Sequence, residues 1–114
     1  MRPTAIVVDD HASFRAFAAR LLTAAGFDVV AEADGAATGL DQVRELRPDL
    51  VLLDVVLPDG DGVEVARSLG DQAATHVLLT SSRTTEELGD AVAAYHFVTK
   101  ADLTIAGLAR LAAG

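Results

Sequence analysis

Leu50, Val51, Leu52 and Leu53 run without a break into a single carboxylate, Asp54, and Val55, Val56, Leu57 and Pro58 follow. A stretch that is apolar at every position, rather than at alternate ones, predicts a strand covered on both faces. A carboxylate inside such a run is costly unless other groups compensate it. Compensation is cheapest at the strand end, where the chain turns and a pocket can open. The rest of the chain must therefore supply two helical layers over this strand and partners for Asp54.

A second strand-to-carboxylate junction opens the chain, where Ala5-Ile6-Val7-Val8 stops at Asp9-Asp10. The apolar period then changes. Phe14, Phe17, Ala18, Leu21, Leu22 and Ala25 follow the spacing of an amphipathic helix, with Gly26 at its stop. Phe27–Ala31 predicts a weaker strand whose Asp28 suits a sheet edge. Ala36, Leu40, Val43 and Leu46 form a second helical stripe ended by Pro48.

After Pro58, Asp59-Gly60-Asp61-Gly62 reads as a turn. Asp61 and Glu64 have capping-box spacing for a helix carrying Val63, Ala66 and Leu69 and stopped at Gly70. His76–Leu79 is a fourth strand ending in Thr80-Ser81-Ser82, and Thr84 and Glu87 form another capping-box pair ahead of Leu88, Ala91, Val92 and Tyr95. Phe97-Val98-Thr99 is a short fifth strand ending in Lys100, and Asp102 is placed to cap a last helix through Ile105, Leu108, Ala109 and Ala112. Strict alternation of strands and helices predicts a parallel sheet with right-handed crossovers and helices on both faces. The five units are expected to fill residues 1–114 as one domain, with no residues left for a DNA-binding or catalytic second domain.

Composition narrows the function classes. At 51% hydrophobic and 23% charged residues the chain is globular rather than disordered. With no cysteine it has no disulfide and no thiolate metal site. A net charge of -8 argues against direct nucleic-acid binding or a membrane-surface role, both of which need a positive footprint. The first apolar run is broken by Asp9 and Asp10 too early for a signal peptide, and no run is long enough to span a membrane, so the expected location is cytoplasmic.

An open parallel sheet forms its site at the carboxyl ends of its strands. Those ends carry Asp9 and Asp10, then Asp54, Thr80 and Lys100; only the second strand offers nothing. At an effective dielectric near 20, two carboxylates 4 Å apart repel by about 4 kcal/mol. A cation or partial protonation must relieve that repulsion. Oxygen ligands from few side chains suit Mg2+ better than a full Ca2+ cage, and nothing suggests zinc. A hard cation beside a free carboxylate, an ammonium and a hydroxyl is apparatus for phosphoryl transfer to the carboxylate.

Taken together, Val8-Asp9-Asp10-His11, Leu53-Asp54-Val55-Val56-Leu57-Pro58 followed by Asp61-Gly62, Leu79-Thr80, and Phe97-Val98-Thr99-Lys100-Ala101-Asp102-Leu103 resemble a response-regulator receiver domain of two-component signalling. The likeness covers nearly the whole chain, and its first and last motifs are most similar to receivers attached to helix-turn-helix transcription factors. It implies a flavodoxin-like (βα)5 three-layer sandwich with sheet order 2-1-3-4-5. It implies that Asp54 accepts a phosphoryl group from a histidine kinase or phosphotransfer protein, with Mg2+ held by Asp10 and Asp54, by Asp9 mainly through water, and by the Val56 carbonyl. Lys100 would pair with Asp54 and then with phosphoryl oxygens, Thr80 would swing in to bond them, and Phe97 would be the switch aromatic. The output would be a downstream protein partner or an output domain absent here, and the apolar last helix would suit a homodimer.

Three departures stand out. The intervals from Asp54 to Thr80 and from Thr80 to Lys100 are a little short for the family, which points to an abbreviated fourth helix or loop. His96 stands where the family has a small residue. Val56 is apolar where many members are polar, and shielding of an acyl phosphate from water is the expected consequence. His11 and His76 read as a site-rim and a strand-end residue without a ligand role. Two other functions compete. A phosphohydrolase using an aspartyl nucleophile would need a second aspartate where Val56 stands. A degenerate receiver would act as a phosphorylation-independent interaction module, although all five key positions are filled.

Overall fold

The computed structural model describes residues 2–70, 75–92 and 95–113. The strands and helices follow in the order β1 (Thr4–Val8), α1 (Ala12–Ala24), β2 (Asp28–Ala33), α2 (Ala36–Leu46), β3 (Leu50–Asp54), β4 (Val56–Leu57), β5 (Gly60–Asp61), α3 (Gly62–Leu69), β6 (His76–Ser81), α4 (Thr85–Leu88), β7 (His96–Thr99) and α5 (Ile105–Ala113). The main sheet is parallel and ordered β2-β1-β3-β6-β7, which is 2-1-3-4-5 when the five long strands alone are counted. Leu50–Asp54 is buried at every position, as its unbroken apolar run predicts. The weaker strand β2 lies at the edge.

Side chains alternate across each strand, and the core divides accordingly. Ala5, Val7, Leu50, Leu52 and Leu78 pack with Ala18 and Leu22 of α1 and Leu108 of α5. Ile6, Val8, Val51, Leu53 and Leu79 pack with Val43 of α2 and with Val63, Val65, Ala66 and Leu69 of α3. The same alternation carries Asp54 to the α1/α5 face after Leu50 and Leu52, and Thr80 to that face after Leu78. The β3–β6 register sets Asp54 beside Thr80.

Some local expectations need correction. The Asp59–Gly62 stretch is more than a turn: β4 and β5 form a two-stranded antiparallel hairpin. Asp61 caps α3 by accepting the Val63 amide at 2.8 Å, but Glu64 does not close the box and pairs with Arg67 instead. The Thr84–Glu87 capping box forms as expected. Its helix, however, ends at Leu88, because Gly89 has φ +78°, and a 3-10 turn over Asp90–Val92 follows. Ala93 and Ala94 of the predicted continuation lie outside the described residues. Asp102 does not cap α5. It closes a 3-10 turn with Lys100, and Thr104 accepts the Gly107 amide at 3.1 Å in its place.

Candidate functional site

The predicted residues meet at the carboxyl ends of β1, β3, β6 and β7. Asp9 is 1% and Asp54 4% exposed, so both carboxylates are removed from water. Lys100 Nζ bridges them, 2.7 Å from Asp9 Oδ2 and 3.2 Å from Asp54 Oδ2. Its approach is steered from below by Phe14 of α1, whose ring centroid lies 4.4 Å from the ammonium. Asp54 Oδ1 accepts the Val56 amide at 3.1 Å. Asp9 Oδ1 accepts the His11 amide at 2.8 Å.

Charges this close shift one another. Burial pushes the Asp9 carboxyl up, but Lys100 and the His11 amide outweigh it and hold the group below the ordinary aspartate range. Asp54 moves the other way: burial and the neighbouring Asp9 charge raise it, against the Val56 amide and Lys100. Burial lowers Lys100, and its two carboxylate partners more than restore it, so the ammonium stays charged. The cluster therefore has one firmly ionised carboxylate, one reluctant one and a fixed cation between them.

Asp10 is exposed at the mouth. A cleft of about 230 Å³ opens there, between Asp10 and His11 on one side and Val56, Ser82 and Arg83 on the other, with Asp54 and Lys100 at its floor. Thr80 does not line this cleft. Its side chain is enclosed at 1% exposure, and Oγ1 is a buried oxygen without a hydrogen-bond partner among the described residues. An unsatisfied buried hydroxyl calls for an explanation, and its place beside Asp54 supplies one: it is a donor with no acceptor yet. Phe97 stands apart, half-buried on the opposite face of the sheet.

One ligand atom from each of Asp9, Asp10, His11 and Asp54 lies within 4.8 Å of all the others. Three carboxylates and an adjacent unpartnered hydroxyl fit a hard divalent cation and the anion it would accompany. Asp9, already held by Lys100 and the His11 amide, is the least free of the three to take a cation.

Sequence reasoning missed several supports. Arg15 donates to the Asp9 carbonyl at 2.7 Å and pairs with Glu32 at 3.4 Å, tying α1 and β2 to the end of β1. Asp59 reaches back to α2 and accepts the Ala36 and Ala37 amides at 2.6 and 3.1 Å, which holds its carboxyl below the ordinary range. The sequence spacing carries no sign of either contact. Gly62 had a signal, in the Asp61-Gly62 motif. A Cβ there would lie 2.1 Å from the Asp54 carbonyl oxygen, so only glycine lets the hairpin close against the end of β3. His96 is at the far end of β7 from Lys100, its ring 4.8 Å from that of His76.

Comparison with known proteins agrees with this geometry. The family model described as the response regulator receiver domain matches residues 5–103. The DNA-binding response regulator MtrA of Mycolicibacterium paratuberculosis is 43% identical over 84 residues, covering 74% of this chain and 37% of MtrA. The protein-glutamate methylesterase/protein-glutamine glutaminase of Halobacterium salinarum is 36% identical over 83 residues, covering 73% of this chain and 24% of the enzyme. The chain thus spans about a third and a quarter, respectively, of these curated relatives. Among solved structures, a LuxR-family two-component response regulator from Aurantimonas sp. SI85-9A1 superposes with a TM-score of 0.80 at 30% identity, covering 99% of this chain and 87% of that one. The BeF3-activated receiver domain of Klebsiella pneumoniae RstA does so with a TM-score of 0.79 at 28% identity, covering 95% and 94%. From the sheet order, the strand-end carboxylates with their lysine, and these relatives, the chain belongs to the receiver-domain family of two-component response regulators.

Proposed function

We propose that the chain is a phosphoacceptor switch in which Asp54 takes a phosphoryl group from the phosphohistidine of a sensor kinase or phosphotransfer protein. The observation that carries this reading is the state of Asp54: a buried carboxylate with one oxygen toward Lys100, beside an unpartnered hydroxyl, at the floor of an open cleft. An Asp54 oxygen attacks phosphorus, the P–N bond breaks, and the electron pair leaves with the donor imidazole. Mg2+, when bound, neutralises oxygens of the transferring group. Asp10 and Asp54 would hold it through their side chains, with Asp9 acting mainly through water and the Val56 carbonyl as a further ligand.

Lys100 keeps its charge in the buried site and can follow the new phosphoryl oxygens. Thr80 gains the acceptor that its hydroxyl lacks. A phosphoryl group adds roughly -1.5 to -2 charges, so satisfying it draws the end of β6 inward and frees space for Phe97 to turn. That is a population shift of a two-state element. Residues 1–114 act as one receiver unit in the cytoplasm, and the output passes to a protein partner or to an output domain.

Intact mass tests this after incubation with acetyl phosphate, with and without Mg2+, for the native chain and Asp54→Asn. The expected result is a gain of one phosphoryl group that requires both Mg2+ and Asp54. No gain, with Mg2+ also leaving the site unperturbed, would leave a phosphorylation-independent interaction module as the reading.

A further inference from the structure

Asp59 caps a helix to which it does not belong. The N-cap of α2 is Gly35, which has no side chain to satisfy the first amides of the helix. The Asp59 carboxylate takes two of them, the Ala36 amide at 2.6 Å and the Ala37 amide at 3.1 Å. Gly35 has extended backbone that any residue adopts, but a Cβ there would stand 2.8 Å from Asp59 Oδ1. A side chain at position 35 would enter only by displacing that carboxylate from its amides. Asp59 lies in the turn of the β4–β5 hairpin, which pairs Val56 with Asp61 and Leu57 with Gly60. Two paired residues a side make a marginal hairpin, and within residues 56–61 only Leu57 is buried. The root of the hairpin touches Asp54: the Val56 amide donates to Oδ1 at 3.1 Å, while Oδ2 faces Lys100 at 3.2 Å. The orientation of the Asp54 carboxylate is thus set by Lys100 on one oxygen and by the hairpin on the other.

We propose that Asp59 is a positioning residue for phosphoryl transfer: by fastening the turn of the hairpin to the first amides of α2, it holds the Val56 amide on Asp54 and so aims the attacking carboxylate. The proposal rests on Asp54 being the phosphoacceptor. Asp59 does not line the cleft over Asp54, so its influence runs through the backbone of the hairpin. With the tie removed, the turn loses its hold on α2, Val56 moves with it, and Asp54 Oδ1 loses a fixed donor. Small misplacements of a reacting group slow a reaction steeply.

The test separates this role from simple support of α2. Initial rates of acetyl phosphate labelling at saturating Mg2+ are compared by intact mass for the native chain, Asp59→Ala, Asp59→Asn, and Asp59→Ala combined with Gly35→Ser. The hydroxyl introduced at position 35 gives α2 a cap of its own but no tie to the hairpin. Thermal unfolding follows stability, and proton–nitrogen NMR spectra follow the Val56 amide. Asp59→Ala should label about 10-fold more slowly. Asp59→Asn should fall between, because its amide oxygen still accepts. Adding Gly35→Ser should return lost stability without returning the rate, and the Val56 amide resonance should move in step with the rate. Recovery of the rate along with stability would overturn the proposal and leave Asp59 as a cap for α2 alone. Unchanged labelling in Asp59→Ala would overturn it as well, with the phosphoacceptor reading left standing. No labelling of the native chain would overturn it together with that reading.

Discussion

At the scale of single residues, the two buried carboxylates are held in opposite senses, and stability should register that. Asp9 titrates below the aspartate reference of 3.8 when folded, so its ionised form contributes stability above that pH and loses it only as pH falls below. Asp54 titrates above the same reference, so stability is lost as pH rises from that reference through the raised value. Asp9→Asn should therefore destabilise the protein at pH 7 by about 3 kcal/mol, the usual cost of breaking a buried pair. Asp54→Asn should instead stabilise it at that pH, because the cost of ionising the buried group is removed. Thermal unfolding between pH 7 and pH 4 separates the two, because the Asp54→Asn gain shrinks across that window while the Asp9→Asn loss persists. Two losses of equal pH dependence would refute the assignment. Val56 makes a kinetic prediction. It is 52% exposed beside Asp54, where an apolar side chain would hinder a water attacking an acyl phosphate. Val56→Asn should shorten the lifetime of the acyl phosphate several-fold, and an unchanged lifetime by mass spectrometry would remove the shielding role.

Elements are joined to the site by close approaches as well as by charge. The hairpin β4–β5 turns back onto the end of β3 through Gly62, whose amide donates to the Val55 carbonyl at 2.8 Å. Gly62→Ala drives a methyl group into the Asp54 carbonyl, and relief requires backbone movement. A loss of about 3 kcal/mol or more is expected, with impaired phosphorylation. Gly89→Ala is a useful contrast. Among the described residues nothing lies within 4 Å of a Cβ there, and its positive φ is what resists substitution. It should cost about 1–2 kcal/mol and leave phosphorylation intact. Chemical denaturation and acetyl phosphate labelling of the two variants check this. These glycines also show what the sequence made legible. Strand-end residues were readable because the sheet brings every strand's next residue to one rim, as for Asp9, Asp54 and Lys100. The short intervals on either side of Thr80 announce the abbreviated α4 of four residues, whereas the helical spacing of Leu88, Ala91, Val92 and Tyr95 across Gly89 does not, and the glycine outweighs that spacing. Asp59 capping α2 and Thr104 replacing Asp102 at α5 depend on where elements come to rest, which neither spacing nor propensity encodes.

For the whole molecule, stability is unevenly distributed, and the uneven part borders the site. β1 and β3 sit at the centre of the sheet, buried on both faces, whereas α4 has four residues and buries none of them. Few buried contacts mean opening at low free energy. The end of β6 leads straight into α4 through Ser81 and Arg83, whose amide donates to Ser81 Oγ at 3.0 Å. A phosphoryl group that draws Thr80 toward Asp54 would therefore move a lightly anchored element, while the central strands hold the carboxylates in place. Amide exchange should show Thr85–Gly89 opening far more readily than Ile6–Val8 and Val51–Leu53 in the unmodified protein. Acetyl phosphate with Mg2+ should raise protection in Thr85–Gly89 and leave the central strands unchanged. In Asp54→Asn the same treatment should do nothing. If phosphorylation were demonstrated by mass and Thr85–Gly89 nonetheless exchanged as before, the output would have to leave the domain by another face. The buried hydroxyl of Thr80 would then answer to the chemistry of the phosphoryl group and not to the conformational switch.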